Sequence, residues 1–354
     1  MRDQKLVVDT IPDPEPGPGQ VLVKTLACGI CGSDLHTLAH APELVEVARQ
    51  CDVPFLMDLT RDVVMGHEFC AEILDHGPGC QKTLAPGTRV CSIPAVIRAD
   101  GLSGVGYSND FPGGYAERML LSEALLLTVP NGLPTEHAAL TEPMAVGMHA
   151  VEMARIGADD VALVIGCGPV GLSVIAALRL KGVAPVVAAD FSPTRRKLAE
   201  NMGADIVIDP GQSSPYEAWR EAAKPEPAAA ASGFDLFGTA LRPGVIFECV
   251  GLPGIIDQIM TGAPRGARVV VVGVCMERDA IRPMFGINKE LNLQFVFAYE
   301  PQEFASALQH IAEGRIPVVP LITGTVGVEG VPGAFEELRD PERHAKILVE
   351  PWRS

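Results

Sequence analysis

The chain has 354 residues, 47% of them hydrophobic, which is enough for a large core and, at about 100–200 residues per domain, for two domains. Its 44 acidic against 28 basic residues give a net charge of −16, which argues against a nucleic-acid or anionic-membrane partner. No run reaches the roughly 18 apolar residues of a membrane helix; no signal peptide follows Met1-Arg2-Asp3-Gln4-Lys5, and nine scattered cysteines suggest reduced thiols, so a cytoplasmic protein is expected.

Residues 1–150 have the texture of an irregular, mostly antiparallel β domain. Short β-like runs (Gln20 to Leu26, Phe69 to Leu74, Thr88 to Ile93) are separated by turns rich in proline and glycine, such as Gly77-Pro78-Gly79. Cys28-Gly29-Ile30-Cys31 lies in this part. A C-x-x-C pair can be half of a zinc ribbon or a redox pair, but no second C-x-x-C exists and the surroundings are not a thioredoxin-like βαβ unit. With Gly66-His67-Glu68, Cys31 offers a thiolate, an imidazole and a carboxylate, the donor set of an open zinc site. The segment from His40 to Met65 holds a short predicted helix over 42–50. Asp100 to Gly106 reads as a polar, glycine-rich loop, and Glu136 to Ala154, which contains Glu142-Pro143, as largely helical.

Next comes Val161-Ala162-Leu163-Val164-Ile165, an apolar run of buried-strand length, followed by Gly166-Cys167-Gly168-Pro169-Val170-Gly171. This G-x-G-x-x-G turn opens a helix over 172–181, and a second strand over 185–189 closes on Asp190. The first glycine permits the tight turn, the second lets a pyrophosphate approach the backbone, and the third lets helix and strand pack closely. The phosphates would meet the unpaired N–H groups of the helix N-terminus. Asp190, about 20 residues on, is placed for a ribose diol and favours NAD over NADP, although Arg195 and Arg196 could accommodate a 2′-phosphate. Strands and helices alternate to about Phe297, as in a doubly wound parallel sheet. The strand ends near Cys249-Val250-Gly251 and Gly273-Val274 should border a nicotinamide, because ligands lie outside the carboxyl ends of parallel strands. From Pro301 the pattern continues with a helix over 301–314, the run Val318 to Thr323, a helix near Phe335 and a strand over 346–349.

In order, Cys28-Gly29-Ile30-Cys31-Gly32-Ser33-Asp34-Leu35-His36, Gly66-His67-Glu68, Glu142-Pro143 and the dinucleotide turn resemble the zinc-dependent medium-chain alcohol dehydrogenases. The sorbitol-dehydrogenase-like and bacterial secondary-alcohol branches are nearest, because Glu142 stands where other members have a cysteine. The resemblance implies an α/β fold: a Rossmann domain over 155–298, with a doubly wound parallel sheet, and a discontinuous, mostly β GroES-like catalytic domain over 1–154 and 299–354. It implies Cys31, His67 and Glu142 as zinc ligands or anchors, Glu68 as a ligand or close neighbour of the metal, and Asp34 as the group orienting His67. It also implies a proton path through Ser33 and His36, with cofactor contacts at Gly166, Gly168, Pro169, Val170, Gly171, Asp190, Arg195, Val250, Gly273 and Val274. Many relatives carry four closely spaced cysteines for a structural zinc; Cys91 alone lies in that lobe here, so one zinc per subunit is expected. The implied activity is reversible NAD-linked oxidation of an alcohol, secondary by the Glu142 pattern, to a ketone or aldehyde, by a homodimer or homotetramer. The alternatives are a zinc-free NAD(P)H-dependent quinone or enone reductase and a non-catalytic cofactor-binding relative. Phe55, Phe111, Phe285 and Phe297 are further pocket candidates.

Overall fold

The structure is a computed structural model that describes residues 1–53, 57–130, 132–225 and 241–353. Phe55 lies outside the described residues, as does the low-complexity run after Pro225. The chain divides into two compact units, Met1–Pro143 with Pro301–Ser354, and Met144–Glu300. Among the described residues, no helix is long and apolar enough to cross a membrane.

The first unit starts from β1 (Gln20–Gly29), whose alternating Val21, Val23 and Thr25 are buried. Helix α1 (Gly32–Gln50) follows. Its backbone is non-helical at His40, two residues before the internal Pro42, which has no N–H to donate. The short helix predicted over 42–50 is therefore the far half of a longer, kinked one, and Leu44 and Val45 pack it onto the core. Strands β2 (Glu68–His76) and β3 (Arg89–Ser92) come next, then β4 (Ala95–Arg98) and β5 (Gly101–Gly104). The expected loop at 100–106 is thus half of a hairpin, paired from Ala95↔Gly104 to Arg98↔Gly101, with Gly101 turning the chain at φ 138°. Strands β6 (Arg118–Ser122) and β7 (Leu126–Thr128) precede α2 (Thr135–Ala138) and α3 (Thr141–Met153). The stretch over 136–154, expected to be largely helical, is helical in two pieces. Pro143 cannot donate to a preceding carbonyl, and Thr141 Oγ1 instead donates to Ala138 O at 2.7 Å.

In the second unit, β8 (Val161–Ile165), α4 (Pro169–Leu180), β9 (Val186–Ala189), α5 (Pro193–Met202), β10 (Ile206–Ile208) and α6 (Pro215–Ala222) alternate. They continue as β11 (Gly244–Glu248), α7 (Ile255–Gly262), β12 (Arg268–Val271), α8 (Pro283–Lys289) and β13 (Asn292–Phe295). The six strands are all parallel, in the order β10-β9-β8-β11-β12-β13, the doubly wound arrangement of a Rossmann domain. Burial on both faces explains the unbroken apolar runs: Val161, Ala162, Leu163 and Val164 are all fully buried, each aliphatic side chain contributing about 1.5–3 kcal/mol. The strand order reverses between β8 and β11, which places the glycine-rich turn and the loop after Glu248 at the switch point.

The chain then returns to the first unit with α9 (Pro301–Ala312), β14 (Ile322–Val326), α10 (Val331–Glu337) and β15 (Lys346–Val349). Within the run from Val318 to Thr323, Val319–Leu321 is a 3₁₀ turn that holds Pro320. The seven-stranded sheet runs β14-β15-β1-β2-β3-β7, with β6 also on β1, so the GroES-like unit is closed by the C-terminal segment. The pairs Cys28↔Val349 and Gly29↔Leu348 bring β15 alongside the cysteine motif.

Trp219, 1% exposed, donates from Nε1 to Val161 O at 3.0 Å, and a Cβ on Gly244 would lie 1.9 Å from its ring. Gly244→Ala should therefore lower stability by about 1–3 kcal/mol through overpacking. Gly333→Ala, where an added Cβ meets nothing within 4 Å, should be neutral or slightly stabilising. Urea unfolding followed by tryptophan fluorescence checks both, and equal midpoints for the two variants would contradict the packing account.

Candidate metal and cofactor sites

The first cluster forms where β1, α1 and β2 meet. Cys31 precedes α1, and His67 and Glu68 stand at the start of β2. One donor atom from each of Cys31, His67 and Glu68 lies within 4.8 Å of the others. His67 is 7% exposed and Glu68 fully buried. Glu142, on the first turn of α3, stands outside this group. Its charge nonetheless reaches Lys346.

Buried Asp34 organises the cluster. Its Oδ2 accepts from the Cys31 backbone N–H at 3.0 Å and from Tyr115 Oη at 2.6 Å. Its Oδ1 lies 3.3 Å from His67 Nδ1, an ion-pair distance outside hydrogen-bond geometry, so both atoms are buried without a hydrogen bond. Burial alone would raise the Asp34 pKa, but the charge of His67 and these donors outweigh it and hold it below the usual carboxylate range. Burial and then the charge of Glu68 push the Cys31 thiol up. Without a cation the site therefore disfavours the thiolate, and a bound dication would reverse that balance. Thiolate, imidazole and carboxylate with two orphaned buried atoms behind them fit zinc, and Asp34 is placed to orient the imidazole.

Sequence reasoning did not single out Lys346. It is 1% exposed at the start of β15, and its Nζ lies 2.7 Å from each Glu68 oxygen and 3.0 Å from Ile30 O. Burial would lower the Lys346 pKa, but the charge of Glu68 foremost raises it instead. Gly29 stands opposite Glu68 in the β1–β2 pair, and a Cβ there would lie 2.0 Å from Glu68 Oε2. The glycine in the cysteine motif therefore leaves room for this carboxylate. A charged residue opening an otherwise apolar strand was the available signal for Lys346. Tyr107 was also missed: its ring centroid is 5.2 Å from that of His67, and its Oη donates to Ser33 Oγ at 2.9 Å. Ser33 and His36 lie on the first turns of α1, and burial followed by the charge of His40 lowers the His36 pKa.

The second unit carries the cofactor turn. Gly166 has φ 89°, and a Cβ on Gly171 would lie 1.9 Å from Gly166 O, so both glycines are required by the backbone. Gly168 differs. A Cβ there would meet nothing nearer than Arg195 Nη1 at 3.9 Å, so packing within the chain does not demand this glycine. The open space at the N-terminus of α4, faced by an arginine whose Nε is buried without a partner, fits a pyrophosphate. Pro169 and Val170 form the first turn of that helix. Asp190 accepts from Cys167 N at 2.7 Å and Ser192 N at 2.8 Å, which fixes its carboxylate at the end of β9. Arg196 instead bonds the Asp190 and Phe191 carbonyls and pairs with Asp209 at 3.2 Å.

Glu248 was also not anticipated. It is 1% exposed and accepts from Val250 N at 2.7 Å and Gly251 N at 2.9 Å, while burial raises its pKa. A Cβ on Gly273 would lie 2.7 Å from Glu248 Oε2, so this carboxylate sets the backbone that carries Val250, Gly273 and Val274. Of the pocket phenylalanines, Phe111 belongs to the core of the first unit. In the second unit, Phe285 lies under the Arg282 guanidinium and Phe297 is 83% exposed.

The model described as zinc-binding dehydrogenase matches residues 169–313, and that described as alcohol dehydrogenase GroES-like domain matches residues 17–131. The (R,R)-butanediol dehydrogenase of Bacillus subtilis (strain 168) is 32% identical over 97% of this chain and 96% of its own. Bos taurus sorbitol dehydrogenase is 29% identical over 94% of this chain and 89% of its own. The crystal structure of a zinc-binding dehydrogenase from Sinorhizobium meliloti 1021 bound to NADP is 28% identical, with a TM-score of 0.75 over 96% of this chain and 94% of that one.

Lys346→Ala should cost about 3–5 kcal/mol, because it strands the Glu68 charge without a partner; replacing both residues, as Lys346→Met with Glu68→Leu, should recover most of that loss. Because the Lys346 pKa is raised, the pair's contribution is complete below pH 10.5 and is lost as pH rises through the folded value. Urea unfolding in the presence of a chelator measures both effects, and a loss under about 1 kcal/mol in the single variant would show that the pair is inconsequential.

Proposed function

The chain belongs to the zinc-dependent medium-chain alcohol dehydrogenase family, and from that premise we propose that it reversibly oxidises a secondary alcohol to a ketone with NAD and one zinc per subunit. The mutual approach of the Cys31, His67 and Glu68 donors within 4.8 Å carries this reading. A zinc-free reductase would have no use for that buried cluster. The butanediol and sorbitol dehydrogenases among its relatives point to a vicinal diol or polyol as the substrate class.

Cys31 and His67 would hold the metal, with Glu142 as a further ligand or the anchor of a water, while Glu68, paired with Lys346, would tune the site from beside it. Bound zinc would supply a Lewis acid that lowers the pKa of an alcohol hydroxyl, and bound NAD the hydride acceptor. Asp34 would keep the His67 ring in its ligating orientation. Ser33 and His36 would carry the alcohol proton outward, His36 entering as the neutral imidazole that its lowered pKa favours. Gly166 to Gly171 and the N-terminus of α4 would receive the pyrophosphate, Arg195 beside it. Asp190 would take the ribose diol, its charge disfavouring the 2′-phosphate of NADP. The backbone braced by Glu248 at Val250, Gly273 and Val274 would border the nicotinamide.

The exposed side chains of β13 and its neighbours, Phe295 at 62% and Phe297 at 83%, support pairing of this edge with a second copy as a dimer or a dimer of dimers. Nine free cysteines suit a reducing compartment such as the cytoplasm.

Metal content and NAD(P) reduction with a panel of diols, polyols and simple secondary alcohols test the reading. About one zinc per chain, lost together with activity in Cys31→Ala, is the expected result, with NAD preferred to NADP. A metal-free protein that is active, or a wild type inert toward every alcohol, would overturn it. A second expectation concerns assembly. Phe295→Glu with Phe297→Glu should yield monomers by light scattering, and an unchanged mass would exclude this edge as the interface.

A further inference from the structure

The lobe after β3 is built to deliver one side chain to the metal cluster. Gly106 has φ 84°, and a Cβ there would stand 2.6 Å from Gly66 O, so this residue presses against the backbone just before His67. That approach brings the next residue, Tyr107, beside the His67 ring and onto Ser33 Oγ. On the other side, Asn109 clamps the segment. Its Nδ2 donates to the carbonyls of Asp58 (3.0 Å), Asp62 (3.1 Å) and Arg61 (3.3 Å), and its Oδ1 accepts from Asp58 N at 2.8 Å. Arg61 pairs with Asp110 at 2.8 Å. Tyr107 is therefore fixed from both ends, and its hydroxyl bridges 74 residues of sequence to reach Ser33.

We propose that Tyr107 is a positioning residue that sets the hydroxyl of Ser33 for proton transfer. The inference rests on the proposed alcohol oxidation. A serine hydroxyl has one hydrogen and two lone pairs. With the Tyr107 hydrogen on one lone pair, the Ser33 hydrogen must point elsewhere, and one lone pair stays open to an incoming alcohol. Ser33 can then take the proton of the substrate hydroxyl as it passes its own outward, with no net change in its protonation. Bound NAD would accept the C–H electron pair of the substrate as hydride, which balances the proton that leaves through Ser33. Without Tyr107 the Ser33 hydroxyl rotates freely, and the fraction of complexes aligned for transfer falls.

The test is Tyr107→Phe, alone and in a Ser33→Ala background, with zinc content measured on every sample. The single variant should keep its zinc and its KM for alcohol within about twofold. Its kcat should fall roughly fivefold, as for one ordinary hydrogen bond, and its solvent deuterium isotope effect on kcat should increase. In Ser33→Ala the same change should cost nothing further. Asn109→Ala, which keeps the tyrosine but releases its clamp, should give a smaller loss that Ser33→Ala also abolishes. Loss of zinc in Tyr107→Phe, an unaltered kcat and isotope effect, or a full fivefold loss persisting in Ser33→Ala would each overturn the role assigned to Tyr107 while leaving the alcohol oxidation standing. A wild type without alcohol-dependent NAD reduction would overturn the oxidation itself, and this inference with it.

Discussion

The contact between Glu68 and Lys346 is the constraint on which the first unit turns. Neither side chain reaches water, and an isolated ion in such a place would cost several kcal/mol. Nζ meets both Glu68 oxygens and the Ile30 carbonyl, which accounts for all three of its hydrogens. Those partners lie on β2 and just after β1, whereas the lysine comes from β15, 278 residues away from Glu68. The C-terminal segment therefore supplies a charge that the site needs as well as closing the sheet. Buried pairs of this kind are weak evidence for stability, and in some proteins they select one arrangement over others. The register of β15 on β1 and the empty space at Gly29 are both consistent with that use.

The second unit reaches rigidity by backbone means. Gly171 lies against the carbonyl of Gly166, and Gly166 lies against Val250 across the switch point, so the turn after β8 and the loop after β11 constrain each other. Asp190 and Glu248 do the same with carboxylates, each accepting from two backbone N–H groups. A loop satisfied in this way has few alternative conformations, as a cofactor surface requires.

What the sequence made legible was local. The apolar run at Val161 to Ile165, the glycine spacing, Ser192 before Pro193 and the apolar strand at Lys346 to Val349 each carry their own signal, and the elements formed there with shifts of a residue or two. The β4–β5 hairpin was hidden because Gly101, Ser103 and Gly104 resemble loop residues unless the partner Ala95 to Arg98 is known. Lys346, Tyr107 and Glu248 escaped for a related reason. Each acts through a contact across the chain or back onto its own loop, and nothing in hydrophobic periodicity marks a polar residue that folding will bury against a particular partner. The cysteine and histidine motifs told which donors to expect, and Cys31, His67 and Glu68 do come within 4.8 Å of one another.

Charge bookkeeping within the cluster explains why its members belong together. Cys31, Glu68 and Asp34 are three acids within or beside one buried site, and Lys346 balances only one of them. Burial and then Glu68 push the Cys31 thiol up, while burial would lower the His67 pKa and its neighbours, Tyr107 foremost and then Asp34, raise it instead. Both tendencies oppose metal ligation, and a bound divalent cation would favour the thiolate and the neutral imidazole instead. Asp34 beside His67 and Lys346 on Glu68 thus set the charges on either side of the donors that a metal would meet.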